Sequence, residues 1–473
     1  MSNWIPITVV SAYMVVLFGM TAWAQRLNRR GGEGLVSYLL AGRGLPSWVA
    51  AALVAGLAVG GASTIGVAER AYTVGISAGW YNAAWSFGAL VLGLVAARRF
   101  RRMELTTLPE FFERHYTSTA RVLAVAGQLA IQVVITSLQY VAGGAILRSL
   151  LPEVFSDFGG MLTTAVVFVA ITLIGGFWAA GLTNVVNVIV IYVGIVLGAV
   201  LTLQRVGGFE GLQQHLPAAH PGFDLWAVGP GLIAAWFLIM VTTTHSNQAT
   251  IQIGFATRDE KSSRNAYLLG ALLILPVGFI SALIGMAAAG LYPDILPKEA
   301  LPRVVLELPP VAAGLILAGL WAADVSTASA LLMGSATVVS TDVIKRFFVR
   351  DLSPHREQLM CRLTVAGLSV FTFVLALGVS QNILGALLAG LSLGTAYALI
   401  VLMTLFAPRL CRRGSGTWTL AATMVSFGLW YIMPAAWHLV PHPIYFTWVV
   451  SLLAFFVVML VDKRPMLGAD AAR

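Results

Sequence analysis

The amino-acid sequence predicts an all-α polytopic membrane protein that forms one domain over residues 1–473 and crosses the bilayer with thirteen helices. Composition is the first reason, because 58% of the residues are hydrophobic and only 10% are charged, against about 25% in soluble domains. The second reason is the length of the apolar stretches, which suits membrane helices. The third is the absence of the alternating pattern that a membrane β-barrel requires.

Thirteen apolar stretches define the predicted helices. A hydrocarbon core of about 30 Å needs about 20 helical residues. The stretches cover residues 5–24, 46–69, 75–97, 121–148, 159–178, 181–204, 228–254, 265–290, 310–343, 360–380, 382–407, 416–435 and 442–461. The first stretch lacks a basic leader and a small-residue cleavage site, so we expect a retained helix rather than a signal peptide.

Basic residues predict the orientation, because lysine and arginine near the spans stay on the cytoplasmic side. With the N-terminus outside, most of the 29 basic residues fall inside, including the arginines at 98–102, and the C-terminus is cytoplasmic. The net charge of +9 is therefore a topology signal and does not indicate nucleic-acid binding. We expect the plasma (inner) membrane as the location.

The segments outside the predicted spans are short. The longest external loops, about 205–227 and 291–309, are too small for a catalytic domain, so we expect no enzyme activity. No Walker-type phosphate loop occurs, so the chain has no ATP site of its own. Cys361 and Cys411 lie at predicted cytoplasmic helix ends, where thiols stay reduced, and with scattered histidines they indicate no metal centre.

Two predicted helices look interrupted near the middle of the membrane. The second has four glycines within residues 56–66, and the seventh has seven consecutive polar residues at 242–248. Glycine there also suits close helix packing. However, the two segments are five apart, and broken helices at corresponding positions indicate an inverted-repeat transporter with its binding site at the breaks. The predicted repeats are 46–204 and 228–407, and residues 1–45 and 408–473 form peripheral helices.

The ninth predicted helix carries Asp324, Ser326 and Thr327 in its interior. A charged group at the centre of a membrane helix costs about 2.5–3.5 kcal/mol, so it faces a protein interior or a wet cavity. Hydroxyl oxygens are good ligands for a hard cation such as sodium. The alternative is that both hydroxyls bond to carbonyls of their own helix.

Short motifs along nearly the whole chain resemble those of the sodium/solute symporter family, which includes proline, pantothenate, sialic acid, iodide and sodium/glucose transporters. Each motif alone is weak, but their order and spacing are specific. They lie at residues 38–46, 64–66, 71–75, 108–112, 175–179, 247–248, 256–258, 322–327 and 341–342.

The resemblance implies a five-plus-five inverted-repeat core of the LeuT-like kind and a sodium site between the second and ninth helices. By position, the implied sodium ligands are Gly56, Val59, Ala323, Ser326 and Thr327. The residue spacing agrees, because positions 323, 326 and 327 fall on one stripe of a helix. Sodium is the only metal ion and the only cofactor that we expect.

A second cation site is less well supported. Family members with such a site typically carry an aspartate where this chain has Asn184. We therefore favour one sodium, and keep Asn184, Asp324 and Ser329 as an alternative second cation or proton site. Asp324 replaces a residue that is often apolar in relatives, and it has three readings: a compensating acid, a proton site, or a structural partner of a polar neighbour.

The predicted solute pocket has polar and aromatic side chains and no charge pair. Its residues are Gly60, Ser63, Tyr81, Asn82, Trp85, Gln139, Thr243 and Asn247. Backbone amides at a helix break can bind a carboxylate, so we favour a carboxylate-bearing solute, either an amino acid or a monocarboxylate. Tyr81 and Trp85 also have a plain interpretation as packing aromatics.

These observations together predict a secondary active symporter that uses sodium to take up a small organic solute by alternating access. Its partners are sodium, the solute and membrane lipid. One alternative is a proton-coupled carrier of the same fold that uses Asp324. The other is a non-transporting membrane sensor, which would need a partner to carry its output.

Overall fold

The structure is a computed structural model that describes residues 4–30, 34–150, 154–349, 351–378, 390–434 and 437–467. Within these ranges the regular structure is helical, apart from two isolated bridges that pair Leu45 with Thr257 and Arg412 with Pro465. The predicted all-α class is therefore confirmed.

The first nine α-helices run from the N-terminus to the middle of the chain. They are α1 (Trp4–Arg30), α2 (Leu35–Leu40), α3 (Ser47–Ala58), α4 (Ile65–Val74), α5 (Trp80–Val95), α6 (Ala97–Met103), α7 (Leu108–His115), α8 (Ser118–Leu150) and α9 (Asp157–Arg205). The next six are α10 (Gly208–His215), α11 (Pro230–Ser246), α12 (Gln248–Ala256), α13 (Glu260–Leu291), α14 (Ala300–Leu306) and α15 (Pro310–Val338).

The chain after Val338 continues through a π-helical turn at Val339–Ile344 and a short helix at Lys345–Phe347. Four longer helices follow, and their bounds are Pro354–Ala376, Thr395–Phe406, Ser415–Ile432 and Pro443–Val461.

Among the described residues, seven helices are long and apolar enough to cross a membrane, or eight when the bent pair α3 and 61–95 is taken as one span. The count of thirteen and the orientation of the termini stay predictions. Residues 379–380, 382–389 and 435 of three predicted spans lie outside the described ranges.

The longest helix contains two predicted spans. The stretches 159–178 and 181–204 both lie in α9, which has 49 residues and is long enough for two crossings of the hydrocarbon core. It bends at Gly176, whose φ of 58° and ψ of −148° leave helical space. A positive φ costs glycine little because it has no Cβ, so the chain turns there without a loop.

The helix α15 lies at the centre of the bundle. In its most apolar window 94% of the residues are buried, compared with 22% for α1 and 28% for the helix Pro443–Val461. It packs against α9, α8, α1 and α3. This position puts Asp324, Ser326 and Thr327 inside the protein rather than against lipid. The division of the chain into two repeats with peripheral ends stays a prediction.

Candidate functional site

The first break follows the last turn of α3. Val59 (φ −95°, ψ 81°) and Gly60 (φ −111°, ψ −163°) leave helical conformation, and the chain resumes as a short 3-10 turn at Gly61–Ser63 before α4 begins. The axes on the two sides of this break differ by 73°. Carbonyls in the last turn of α3 therefore lack helical partners and need others.

Two hydroxyls of α15 supply those partners. Ser326 Oγ donates to the Gly56 carbonyl at 2.9 Å, and Thr327 Oγ1 donates to the same carbonyl at 2.8 Å. Ser326 Oγ also lies 2.7 Å from the Ala323 carbonyl of its own helix. The hydroxyl pair thus joins two helices that are about 270 residues apart in the chain, so bonding within its own helix is only part of its role.

Four of the five residues predicted to bind sodium meet at this point: Gly56, Ala323, Ser326 and Thr327. The fifth, Val59, shares no hydrogen bond with the hydroxyl pair among the described residues, and its N–H donates to the Ala55 carbonyl at 2.8 Å. The Leu57 carbonyl does contact the pair, because it accepts from Thr327 Oγ1 at 3.4 Å.

Asp324 contacts the short 3-10 turn that follows the break. Its Oδ1 accepts a hydrogen bond from the Gly61 N–H at 2.8 Å. The side chain is fully buried, and no described group donates to Oδ2. This contact supports the structural reading of Asp324, while the second oxygen leaves an acceptor without a donor.

Asn184 and Ser329 occupy two different positions near the break. Asn184 Nδ2 donates to the Ala180 carbonyl at 2.7 Å, and its Oδ1 has no donor among the described residues. That oxygen presses against α3, since a Cβ added at Gly56 would lie 1.9 Å from it. Ser329 Oγ donates to the Ser326 carbonyl at 3.0 Å, so it meets the site through the backbone.

A narrow cavity of about 30 Å³ lies beside the break. Six of the eight predicted solute residues line it: Gly60, Tyr81, Trp85, Gln139, Thr243 and Asn247. Thr327 lines it as well, so this residue belongs both to the cavity and to the hydroxyl pair.

The other two predicted solute residues do not line this cavity. Ser63 Oγ donates to the Ala58 carbonyl at 2.5 Å, which holds the turn of the break. Asn82 faces α13, because a Cβ added at Gly278 would lie 2.7 Å from the Asn82 Cβ. Tyr81 and Trp85 are one turn apart on α5, and Asn82 is rotated by roughly 100° from Tyr81.

The cavity also has walls that the sequence analysis missed. Leu57, Ala58 and Ala62 flank the break. Ile135 and Leu331 lie one helical turn from Gln139 and Thr327, and Thr250 follows Asn247 by three residues. Helical spacing from the predicted residues was a usable signal for these three. Leu391 also lines the cavity, but it is not spaced by a helical turn from any predicted site residue.

Comparison with known families identifies the family to which this chain belongs. The profile of the sodium:solute symporter family matches residues 38–421, which is most of the chain. The chain belongs to the sodium:solute symporter family. As a member it is a sodium-coupled solute transporter of the membrane and not an enzyme, and sodium is its coupling ion.

Curated relatives in the sodium:solute symporter family transport different solutes. The osmoregulated proline transporter of Bacillus subtilis is 26% identical over 447 residues, which cover 90% of each chain. The sodium/glucose cotransporter of Vibrio parahaemolyticus is 25% identical over 391 residues, covering 75% of this chain and 71% of the relative. The identities to a proline transporter and to a glucose cotransporter are almost equal. The solute of this protein must therefore be argued from its site.

Two solved structures share the fold. The substrate-bound outward-open state of a sodium-coupled sialic acid symporter gives a TM-score of 0.82 at 17% identity, with 98% of each chain covered. MhsT in complex with L-phenylalanine gives a TM-score of 0.56 at 16% identity, covering 86% of this chain and 97% of that one. At these identities the likeness shows the fold alone, and the fold is the LeuT-like one that the family resemblance implies.

Proposed function

We propose that the protein couples inward sodium movement to the uptake of a small organic solute by alternating access. The observation that carries the proposal is the contact of Ser326 and Thr327 with the Gly56 carbonyl at the first break. A symporter needs an ion site whose occupancy changes the shape of the solute site. Thr327 belongs to both, since it also lines the cavity.

The sodium site in this proposal consists of oxygens without formal charge. They are the carbonyls of Gly56, Leu57 and Ala323 and the hydroxyls of Ser326 and Thr327. Hydroxyl oxygens accept as well as donate, so both can turn their lone pairs toward a cation. Carbonyl and hydroxyl oxygens suit hard cations, and an uncharged set binds a monovalent ion loosely enough to release it. The Val59 carbonyl stays a prediction.

Sodium from outside would hold α3 against α15 and so fix the shape of the cavity at Gly60. With an assumed membrane potential of about 100 mV, one charge gains about 2.3 kcal/mol, and an assumed tenfold sodium gradient adds about 1.4 kcal/mol. One ion therefore supplies about 3.7 kcal/mol, enough to accumulate an uncharged or zwitterionic solute a few hundred-fold. We propose the plasma (inner) membrane as the location because both gradients exist there.

We assign one sodium per transport cycle. A second site would need Asn184 and Ser329, and Asn184 lacks the charge of the aspartate that relatives with such a site typically carry. For the solute, we assign binding to the six predicted residues that line the cavity. Their hydrogen-bonding groups and aromatic rings fit an amino acid or a monocarboxylate of small size.

A proton-coupled carrier is the second candidate, and the buried carboxylate of Asp324 is the observation that favours it. Such a carrier would transport its solute without sodium and would respond to pH. Solute-stimulated sodium uptake by the purified protein in proteoliposomes separates the two candidates, because only the sodium symporter would move radioactive sodium when solute is added.

The decisive variants are Ser326→Ala and Thr327→Ala. Each removes one oxygen from the proposed sodium site, and a loss of about 1–3 kcal/mol weakens sodium affinity roughly 5- to 150-fold. At fixed sodium the solute affinity should fall with it, because linkage makes the coupling reciprocal, and high sodium should partly restore it. The measurement is the sodium concentration for half-maximal solute-stimulated uptake.

The matched control is Ser335→Ala on the same helix. The Ser335 hydroxyl donates only to the Leu331 carbonyl in the described part of the chain, at 3.0 Å, so sodium dependence should stay unchanged. The proposed sodium site is wrong if both hydroxyl variants keep the sodium dependence of the unmodified protein.

A further inference from the structure

Two aspartates of the central helix are buried, and they differ in their partners. Asp342, at the π-helical end, is 1% exposed, and its carboxylate contacts Arg121 at 2.5 Å and Thr107 at 3.1 Å. Asp324 has one donor, the Gly61 N–H, and no cationic partner within ion-pair distance among the described residues. A buried carboxylate without a compensating charge is costly, so burial costs more free energy at Asp324 than at Asp342.

The contact with Gly61 changes the charge expected of the solute. Gly61 follows the first break, and its free amide was a candidate donor for a carboxylate on the solute. That amide instead donates to Asp324 Oδ1. The protein therefore supplies its own carboxylate at this point, and a solute carboxylate placed there would face another acceptor instead of a free donor.

Asp324 lies on the face of α15 that borders the cavity. Thr327 and Leu331 line the cavity, and positions 324, 327 and 331 fall on one stripe of a helix. Asp324 is one turn before Thr327. Asp324 is not among the residues that line the cavity, but its carboxylate bonds to Gly61, which lies between the cavity residues Gly60 and Ala62 in the chain.

The cavity walls near Gly60 attract positive charge. Gln139 Oε1 is an acceptor without a donor among the described residues, and a Cβ added at Gly60 would lie 3.0 Å from it. The Trp85 Nε1–H donates to the Tyr81 hydroxyl at 3.2 Å, so this N–H is not free for an anion. The rings of Tyr81 and Trp85 remain, and aromatic faces bind ammonium groups through cation–π interactions.

The proposed sodium ligands and the Asp324 carboxylate contact different backbone groups. Ser326 follows Asp324 by two residues, which rotates its side chain by roughly 200° around the helix. The hydroxyl pair faces Gly56, and the Asp324 carboxylate faces Gly61. Ser326 and Asp324 therefore lie on different sides of α15, and Thr327 lies between them.

We propose that Asp324 recognises a positively charged nitrogen on the solute, with Gln139 and the rings of Tyr81 and Trp85 completing the subsite. Amines, zwitterionic amino acids and betaines fit this subsite, whereas a monocarboxylate without nitrogen does not. The proposal rests on the proposed symport function and narrows its solute class. It makes Asp324 a specificity residue of the solute site rather than a ligand of the sodium.

The test uses the full chain in proteoliposomes and measures sodium uptake stimulated by matched probes. One trio is L-proline, pyrrolidine and cyclopentanecarboxylate, which share a ring and differ in their charged groups. A second trio is L-valine, 2-methylpropylamine and 3-methylbutanoate, and a third is L-phenylalanine, phenethylamine and 3-phenylpropanoate. We expect stimulation by nitrogen-bearing members and none by the nitrogen-free acids.

The variant Asp324→Asn keeps an acceptor for the Gly61 amide and removes the charge. We expect the half-saturating concentration of the stimulating probes to rise at least about tenfold, with sodium dependence at saturating probe unchanged. Asp324→Glu keeps the carboxylate, so its half-saturating concentration should lie between those of the unmodified protein and Asp324→Asn. A purely structural role would not change the preference between a probe and its nitrogen-free counterpart. Ser335→Ala is the control for substitution in α15.

Three results would overturn the proposal. One is a nitrogen-free acid that stimulates sodium uptake as well as its amino-acid counterpart does. Another is stimulation by the acids alone. The last is an Asp324→Asn protein with unchanged half-saturation for an amine or amino acid. If Asp324→Asn does not fold, the probe trios on the unmodified protein and on Asp324→Glu still decide. If neither the probes nor added sugars stimulate sodium uptake, the symport function itself is wrong. The inference would then fail with it.

Discussion

The two helix breaks satisfy their backbone groups in different ways. At the first break, partners come from a distant helix: Ser326 and Thr327 bond to Gly56, and Asp324 accepts from Gly61. At the second break, which separates α11 from α12, amide side chains form the hydrogen bonds to the backbone. Asn247 Oδ1 accepts from the N–H groups of Ala249 and Thr250, at 2.9 and 3.4 Å.

Gln128 completes the second break from α8. Its Nε2 donates to the Ser246 carbonyl at 2.5 Å, and its Oε1 accepts from the Gln248 N–H at 2.9 Å. One side chain thus satisfies a donor and an acceptor on the two sides of Asn247. The Gln248 side chain in turn accepts from the Leu108 N–H at 2.6 Å.

The difference indicates which break exchanges partners during transport. Hydroxyl groups both donate and accept, so Ser326 and Thr327 can release a carbonyl and bind a cation with the same atoms. Amide groups donate and accept with separate atoms, and both amide atoms of Gln128 and the Asn247 oxygen are already used. We infer that the first break is where ions act, while the second is a fixed turn whose side chains shape the cavity.

The largest effect is expected for Gly56→Ala. A Cβ at this position would lie 1.9 Å from Asn184 Oδ1 and 3.2 Å from Ser326 Cβ, so Asn184 must move and the hydroxyl pair shifts from its carbonyl. Overpacking of this kind costs about 1–3 kcal/mol. We expect sodium affinity to fall roughly 100-fold, measured as half-saturation of solute-stimulated sodium uptake.

Two further variants separate a steric cause from a general loss of folding. Gly56→Ala combined with Asn184→Ala removes the closest clash and should recover part of the sodium affinity. Gly428→Ala places a methyl group where no atom lies within 4 Å, and it should behave like the unmodified protein. A double variant that is no better than Gly56→Ala would show that the Asn184 contact is not the cause.

A smaller effect, on stability rather than on sodium, is expected for Gln128→Leu. The change leaves the Ser246 carbonyl and the Gln248 N–H buried without their partner, which lowers the free energy of unfolding by about 2 kcal/mol. We expect a lower melting temperature in detergent, followed by tryptophan fluorescence. Sodium half-saturation of the folded protein should stay within about twofold.

Gln214→Leu is the matched control because Gln214 is exposed on α10, and its melting temperature should hardly change. The contrast between the breaks fails if Gln128→Leu weakens sodium affinity as strongly as Gly56→Ala does. It would then follow that both breaks respond to the ion.

The smallest effect is expected for Asn184→Asp, which puts a negative charge against Gly56. Asn184 Oδ1 has no described donor to lose, while the bond from Nδ2 to the Ala180 carbonyl disappears. We expect sodium to bind about tenfold more tightly through the added charge. A sodium Hill coefficient that rises toward two would show that the aspartate rebuilds a second site.

Asn187→Asp adds the same charge one turn further along α9. Asn187 Oδ1 accepts from the Tyr13 hydroxyl at 2.7 Å, away from the break, so sodium affinity should not increase. Equal gains from the two variants would mean that only the overall charge matters. No gain from Asn184→Asp would mean that position 184 lies off the ion route.

Local patterns made part of the site predictable. The hydroxyl pair and Ala323 share one helical stripe, and Tyr81 and Trp85 are one turn apart, so their grouping followed from spacing. Spacing does not extend to the direct neighbours of these residues. Asn82 follows Tyr81 directly and was assigned to the pocket, but the helix turns it toward Gly278. Val59 came from the family resemblance and stays a prediction, while the hydroxyls contact the carbonyls of Gly56 and Leu57.

By itself the sequence determined the membrane class, the two breaks, the hydroxyl pair and the family, because composition, runs of glycine and helical spacing act over a few neighbouring residues. Only the tertiary structure decided which atoms face each break. The Gly61 amide and the Asp324 carboxylate are 263 residues apart, and Gly56 meets Asn184 across two helices. Such contacts depend on how whole helices pack, and no local pattern encodes them.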